Sequence, residues 1–338
     1  MSCNQNTDCD DPFIGHSSTM QAIFGQIERA AQSEAAVFIT GETGTGKELC
    51  AHTIHQQSRR KHSPFMALNC AAIPGELLES EVFGHVRGAF SGAVSSRHGA
   101  AMLANDGTLF LDEINELDIR LQPKLLRFLQ TGEIRRVGAS AVEKSDVRII
   151  CATNRVPWQD VQNGRLRADL YYRLNVISLK LPPLRRRSDD ALRLAEYFLK
   201  HFNAQENAAF THFSPCAEVA LFTYKWPGNV RELKNRIHQA IIMHEGPMLT
   251  ADMLDLPTEN EPRSMQNLRH LEYMVSQAGH NNIADRAQRL PTLAEAERNL
   301  IYSALEECDG NVSRAATCLG VSPSTLYRKM QSWQPSKT

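Results

Sequence analysis

Gly41-Glu42-Thr43-Gly44-Thr45-Gly46-Lys47-Glu48 decides how the rest of this chain is read. The apolar run Val37-Phe38-Ile39 precedes it and reads as a buried strand, and Leu49-Cys50-Ala51 comes after it as the start of a helix. Three glycines let the backbone curl with its N–H groups pointing inward, and such a concave nest binds an anion. The start of a helix adds partial positive charge at the same place. Lys47 has the length to reach the outer phosphates of a nucleoside triphosphate. The generic pattern ends in Ser or Thr, a magnesium ligand, whereas Glu48 stands there in this chain. Alone, the loop also fits a Gly-rich turn that binds nothing, so the choice rests on the residues C-terminal to it.

The decisive partner is Thr108-Leu109-Phe110-Leu111-Asp112-Glu113, an apolar run ending in two carboxylates. In a nucleotide site the first acid holds magnesium and the second polarises the attacking water. Two acids after a strand are common in solvated loops. Behind Lys47 and in this order they point to NTP hydrolysis, with Asp112 as the metal residue. Pro64 to Leu68 (ending at Asn69), Val147 to Cys151 (ending at Thr153-Asn154) and Val176 to Leu181 read as further strands. Ligands of a parallel sheet lie beyond the carboxyl ends of its strands. Asn69, Asp112, Glu113, Thr153 and Asn154 are therefore expected around one site in an α/β fold.

Glu79 to Ala93 carries Gly84, Gly88 and Gly92, too many for one stable helix. Phe83 and Phe90 in it fit either two core aromatics between turns or a mobile loop offering an aromatic to a partner. Arg165 to Leu174 holds Arg165, Arg167 and Arg173. Arginine is suited to clamping phosphate, and the same run also fits an ordinary solvated helix face. After Pro183 the pattern is helical: an amphipathic Asp190 to Phe202, a turn at Trp226-Pro227-Gly228-Asn229, then a helix carrying Leu233, Ile237 and Ala240 on one face.

The expected organisation is a disordered stretch 1–10, an α/β ATPase unit 11–182, a helical lid 183–250, a linker 251–290 and a terminal helical domain 291–338. In the last, two short helices flank Gly320-Val321-Ser322 as in a helix-turn-helix. Ser322, Ser324, Thr325, Tyr327, Arg328 and Lys329 on its second half can reach phosphates and base edges. A plain three-helix interaction module is the rival, and the basic and hydroxyl residues favour DNA.

The 338 residues allow two or three cored domains. A net charge of −1 excludes a globally basic field, so DNA contact must come from a local patch. The 8 cysteines form no C-x-x-C pair and mostly lie in apolar runs, which points to reduced thiols. No stretch is a membrane-span candidate and no charged-then-apolar leader opens the sequence, so the cytoplasm is the expected compartment.

These motifs together resemble the bacterial enhancer-binding proteins, the AAA+ activators of sigma-54 RNA polymerase. The resemblance rests on Gly41–Glu48, Gly88-Ala89-Phe90-Ser91-Gly92-Ala93, Gly107–Ile114, Arg167-Ala168-Asp169-Leu170-Tyr171-Tyr172-Arg173 and Trp226-Pro227-Gly228-Asn229-Val230-Arg231-Glu232-Leu233. Gly310 to Ala316 and Ser324 to Lys329 are similar to the family's Fis-type DNA-binding domain. The family also ends its phosphate loop in Glu, which removes the anomaly at Glu48. The resemblance implies an AAA+ P-loop NTPase core with an α-helical lid, binding ATP and Mg2+. It implies Asp112 and Glu113 as Walker B acids and Asn69 as the residue that holds Glu113 in an inactive pose. Thr153 and Asn154 would be sensor I, and Arg231 sensor II. Arg167 and Arg173 would be trans-acting fingers on the next subunit's γ-phosphate, in an active hexamer bound to enhancer DNA. Gly88 to Ala93 would contact sigma-54.

Ser91 departs from the family's Gly-Ala-Phe-Thr-Gly-Ala, Ala101-Met102 from its usual Phe-Glu, and Leu166 from its usual Phe. The departures at Ser91 and Ala101-Met102 leave a rival, a DNA-binding regulator that no longer activates sigma-54, while a general AAA+ remodeller is a separate alternative that the helix-turn-helix disfavours. No long sensor domain precedes the loop in this sequence. The expected control is a separate regulatory protein, expression level or none, unless the sequence is a piece of a longer chain.

Overall fold

A computed structural model describes residues 12–256 of the chain. Five strands form one parallel sheet: β1 (Val37–Thr40), β2 (Phe65–Asn69), β3 (Thr108–Asp112), β4 (Arg148–Thr153) and β5 (Ile177–Lys180). Their order is β2-β3-β4-β1-β5. Each stretch expected to be a strand is one. Central strands with helices on both faces must be apolar throughout, and β1, β3 and β4 are buried along almost their whole length.

β4 lies between β1 and β3, with Thr40 opposite Thr153 and Leu111 opposite Cys151. The phosphate loop after β1, the carboxylates after β3 and the polar end of β4 therefore emerge side by side. On the other flank Asn69 pairs with Asp112. Segments far apart in sequence meet because the sheet order, not the chain order, sets the neighbours.

α1 (Ser18–Ala31) and α2 (Lys47–Gln56) pack on the sheet around Ile27, Ile54 and Phe110. Arg148 is 2 % exposed inside β4 and donates to the carbonyls of Ala30 and Ala31. It closes the carboxyl end of α1, which explains a charge in a core strand. α3 (Gly75–Phe83), α4 (Ala100–Leu103) and α5 (Gln122–Thr131) cover the β2–β3 side. α6 (Pro157–Gln162) and α7 (Ala168–Leu174) come after β4.

The lid is α8 (Ser188–Glu206), α9 (Pro215–Thr223) and α10 (Asn229–Met243). The turn expected at Trp226 has a packing purpose as well. Trp226 is 1 % exposed in the lid core, and its Nε1 donates to Leu221 O at 2.9 Å. The boundary expected at residue 250 is corrected. Met248–Leu249 pairs with His212–Phe213, and Ala251, Leu254 and Leu256 are buried in the lid core. The apolar stretch there, Met248 to Leu256, is too short to register as a helix, so it reads as the edge of a linker until the lid is seen to need it.

Among the described residues, Cys50, Cys70, Cys151 and Cys216 are buried and lie in no disulfide. Burial pushes the Cys50 thiol up to about 12, which makes it inert at neutral pH. Among the described residues no helix is long and apolar enough to cross a membrane. The stretch 1–10, most of the expected linker and the helix-turn-helix with Ser322, Ser324, Thr325, Tyr327, Arg328 and Lys329 lie outside the described residues.

Leu254→Ala should destabilise the lid by about 2–5 kcal/mol, as for a buried leucine in a closed core, read by chemical denaturation. A residue of a solvated linker would give almost no change.

Candidate functional site: a phosphate loop closed by the lid

Gly46 turns the chain into α2 with φ 96°, so α2 starts with its free N–H groups at the loop. Lys47 is 7 % exposed, and its Nζ donates to Gly41 O at 3.2 Å. The hydroxyl of Thr45 donates to Glu42 O at 2.8 Å, which fixes the curl from inside. Gly44 has φ 78°, and a Cβ there would lie 2.3 Å from Gly228 O, so only glycine fits beneath the lid.

The lid binds this loop through its backbone. Val230 N donates to Gly44 O at 2.9 Å. Asn229 is buried, and its Nδ2 donates to Thr43 O at 3.0 Å while its Oδ1 accepts from Leu184 N. Arg185 holds Glu42 through both carboxylate oxygens, at 2.6 and 2.5 Å. That contact holds the Glu42 carboxyl below the usual range. Glu48 lines the cavity on the first turn of α2.

The two acids are placed differently. Asp112 is partly buried at the end of β3, and loss of hydration raises its carboxyl above the ordinary range, with the neighbouring Glu113 charge adding to the rise. Glu113 has φ 51° and ψ 51°, a left-handed conformation that a non-glycine residue adopts at a cost. Its Oε1 lies 3.5 Å from Lys47 Nζ, and its Oε2 accepts from Asn154 N at 3.0 Å. Asn154 Nδ2 also reaches Thr43 Oγ1 at 3.3 Å. One residue thus bridges the phosphate loop and the second acid.

Two expectations are corrected by this geometry. Thr153 does not face the cavity: it is 1 % exposed, and its hydroxyl bonds Asn115 Oδ1 and accepts from Arg155 N. Alternation along β4 sends its side chain into the protein. Asn69 lines the cavity, but its Oδ1 accepts from Ala71 N and Ala72 N at 2.9 and 3.2 Å. In this conformation Lys47 and Asn154 hold Glu113, and Asn69 caps its own turn.

Arg231, near the start of α10, joins Lys47, Asp112 and Glu113 on the wall of the cavity. Arg167 and Arg173 do not line it. Arg167 makes a two-point pair with Asp169 at 3.1 and 2.8 Å, and Arg173 donates to Leu129 O at 3.0 Å. Both arginines are exposed. The Arg167–Asp169 pair is open to water, which screens it, so it holds the guanidinium only weakly.

Phe83 and Phe90 divide between the two readings of their segment. Phe83 is in the core against Phe128. Phe90 is half-buried in the turn Gly88–Ala93, edge-on to His85 at 5.1 Å. Gly88 N donates to Ala93 O, closing the turn. Its base is the hairpin Gly84–His85 with Arg97–His98, tied to Val137 through Val137 N to Gly84 O and Val86 N to Val137 O. A Cβ on Gly138 would lie 2.9 Å from the Ala89 Cβ, so the neighbouring loop packs directly on the turn. Ser80 bonds His85 at 2.7 Å, and Arg97 pairs with Glu81 at 3.5 Å. These contacts hold the base although Ala101 is a small, fully buried residue.

Sequence reading missed the apolar end of the cavity, lined by Phe13, Ile14, Leu194, Tyr197 and Phe198. It also missed Arg187, 3 % exposed on the cavity wall, which donates to Thr45 O at 3.2 Å. Burial lowers the affinity of its guanidinium for the proton. No local motif marks these residues; only the adjacency of the N-terminal segment, α8 and the loop does.

Residues 13–180 match the sigma-54 interaction domain, 185–278 the AAA+ ATPase lid domain, and 292–333 the bacterial regulatory proteins of the Fis family. Regulatory protein LuxO of Vibrio cholerae is 50% identical over 321 residues, covering 95% of this chain and 69% of that protein. Regulatory protein AtoC of Escherichia coli is 43% identical, covering 95% and 67%. The crystal structure of NtrX from Brucella abortus in complex with ATP superposes with a TM-score of 0.67 at 30% identity, covering 95% of this chain and 69% of that one. The fold is the AAA+ P-loop NTPase with its lid, and the chain belongs to the family of bacterial transcriptional regulators that carry a sigma-54 interaction domain and a Fis-type helix-turn-helix.

Proposed function

We propose that this chain is an ATP-driven activator of transcription by sigma-54 RNA polymerase. The observation that carries the reading is the Lys47–Glu113–Asn154 cluster beside Asp112, under a lid bonded to the phosphate loop. The complex of NtrX with ATP supports ATP as the nucleotide. The phosphates sit in the nest at the start of α2, and the base takes the apolar end around Phe13 and Tyr197.

Asp112 would hold Mg2+, which neutralises phosphate charge when bound. The donor set fits a divalent cation, because the carboxyl of Asp112 is partly desolvated and crowded by Glu113. Before nucleotide arrives, Lys47 pairs with Glu113. The γ-phosphate competes for Lys47 and releases Glu113 Oε1. Glu113 then takes a proton from water as the water oxygen bonds to the γ-phosphorus and the bond to the ADP oxygen breaks. Asn69 would reach Glu113 only after leaving Ala71 and Ala72, which makes it a candidate switch rather than a resting contact.

Arg167 and Arg173 lie outside their own cavity, which supports the reading that they act on a neighbour's γ-phosphate. Such sites are complete only in a closed ring, here a hexamer. The turn Gly88-Ala89-Phe90-Ser91-Gly92-Ala93 engages sigma-54, and the Fis-type domain holds the ring on double-stranded enhancer DNA. Closed promoter complexes are thereby remodelled to open ones. Phe90, half-buried on His85, is the aromatic this turn would offer to sigma-54.

Glu113→Ala should lower ATP turnover by about 100-fold or more while equilibrium ATP binding persists. Normal turnover would remove the catalytic assignment. Sigma-54 should co-elute with the wild-type ring and an ATP transition-state analogue. Failure to do so would move the reading to a DNA-bound regulator that no longer activates sigma-54.

The raised Asp112 carboxyl adds a pH test. Its folded value lies above its unfolded one, so its stabilising contribution is present while it is protonated and is lost as pH rises through the raised value. In nucleotide-free protein at pH 7, Asp112→Asn should therefore raise the melting temperature, by about 2–4 °C for each kcal/mol relieved. The gain should vanish in acid below the ordinary carboxylate range.

A further inference from the structure

Gln122, the first residue of α5, is 0 % exposed. Its Nε2 donates to Leu117 O at 3.1 Å and to Arg165 O at 2.8 Å. Its Oε1 accepts from Arg167 N at 2.9 Å. Two donors meet carbonyls and the acceptor meets an N–H, so only one orientation of the amide satisfies the site. A buried amide is tolerated where its polar atoms are bonded, and here both are.

The three bonds join two segments. Leu117 comes directly after the short turn Ile114–Glu116 that Glu113 begins. Arg165 and Arg167 flank Leu166, which is 2 % exposed. Asp160 O accepts from Arg165 N and Leu166 N at 2.9 and 3.1 Å, fixing the same stretch from its other side. Arg167 then caps α7, with Tyr171 N donating to its carbonyl. The main chain at Arg167 is thus held rigidly, while its guanidinium is held by the exposed Asp169. Gln122 does not line the nucleotide cavity.

We infer that Gln122 is a positioning residue for Arg167. It ties that arginine to the segment after Glu113 and so sets where the guanidinium leaves the surface. Arg167 in turn completes the active site of the adjoining subunit rather than its own. The inference rests on the reading of Arg167 as a finger acting in trans.

Mixed rings of the full chain test it. Gln122→Met keeps the volume and removes the three bonds. Homogeneous Gln122→Met should lose about 100-fold in turnover, the scale of a 1 Å misplacement, with ATP affinity near that of the wild type and a lowered melting temperature, because three backbone groups lose a buried partner. Mixed one to one with Glu113→Ala, it should recover about a quarter of the wild-type rate, the share of sites where an intact Glu113 meets a well-placed finger in a random ring. Arg167→Ala mixed with Glu113→Ala is the benchmark. Recovery in the benchmark but not with Gln122→Met would overturn the role of Gln122 alone. No recovery in the benchmark would overturn the trans finger, and the role of Gln122 with it. Gln122→Asn, which keeps the amide but shortens its reach to Arg167 N, is read the same way should the methionine variant not fold.

Discussion

A single nearly buried ammonium group organises the site. Lys47 is held between the Gly41 carbonyl and the Glu113 carboxylate, and a cation this poorly hydrated must stay paired. That requirement fixes the end of β1 against the end of β3, and the sheet provides it by placing β4 between them. The polar end of β4 then falls in the same place, and Asn154 closes the ring of contacts by bonding Glu113 and Thr43. A nucleotide entering here finds a charged pair that it can split.

The lid is part of the same circuit. Val230, Asn229 and Arg185 bond Gly44, Thr43 and Glu42 in turn. Asp190 of α8 accepts from His16 N, Ser17 N and the Ser17 hydroxyl, so the lid also holds the start of α1. A change in the pose of the phosphate loop therefore cannot stay local. The base of the turn around Phe90 shares backbone bonds with Val137, and Gly138 packs on the turn at Ala89. Two segments distant in sequence are joined there by shared hydrogen bonds.

Much of this was legible in the residues. Each strand of the sheet is an apolar run bounded by turn formers, and such runs in a parallel sheet do not depend on partners to be recognised. Gly41–Glu48 and Asp112-Glu113 carry their chemistry in local spacing. Trp226 marked a turn, but its burial in the lid was invisible, since burial depends on what packs over it. Leu254 and Leu256 read as linker because their pattern is short. Thr153 and Asn154 could not be told apart as site residues without the direction of each side chain on β4.

The sequence by itself determined the chemistry on offer: a phosphate nest, two carboxylates, a set of arginines and an alternation of strands and helices. Backbone propensity and motif spacing act over a few residues, and a reader of the chain has access to them directly. The tertiary structure alone decided which of these groups meet. It paired Lys47 with Glu113, turned Asn69 to its own loop, buried Thr153, kept Arg167 and Arg173 out of their own cavity and set Gln122 beneath one of them. The physical reason is that hydrogen bonds and ion pairs act over about 3–4 Å, whereas the residues concerned are brought within that range only by the order of strands in the sheet.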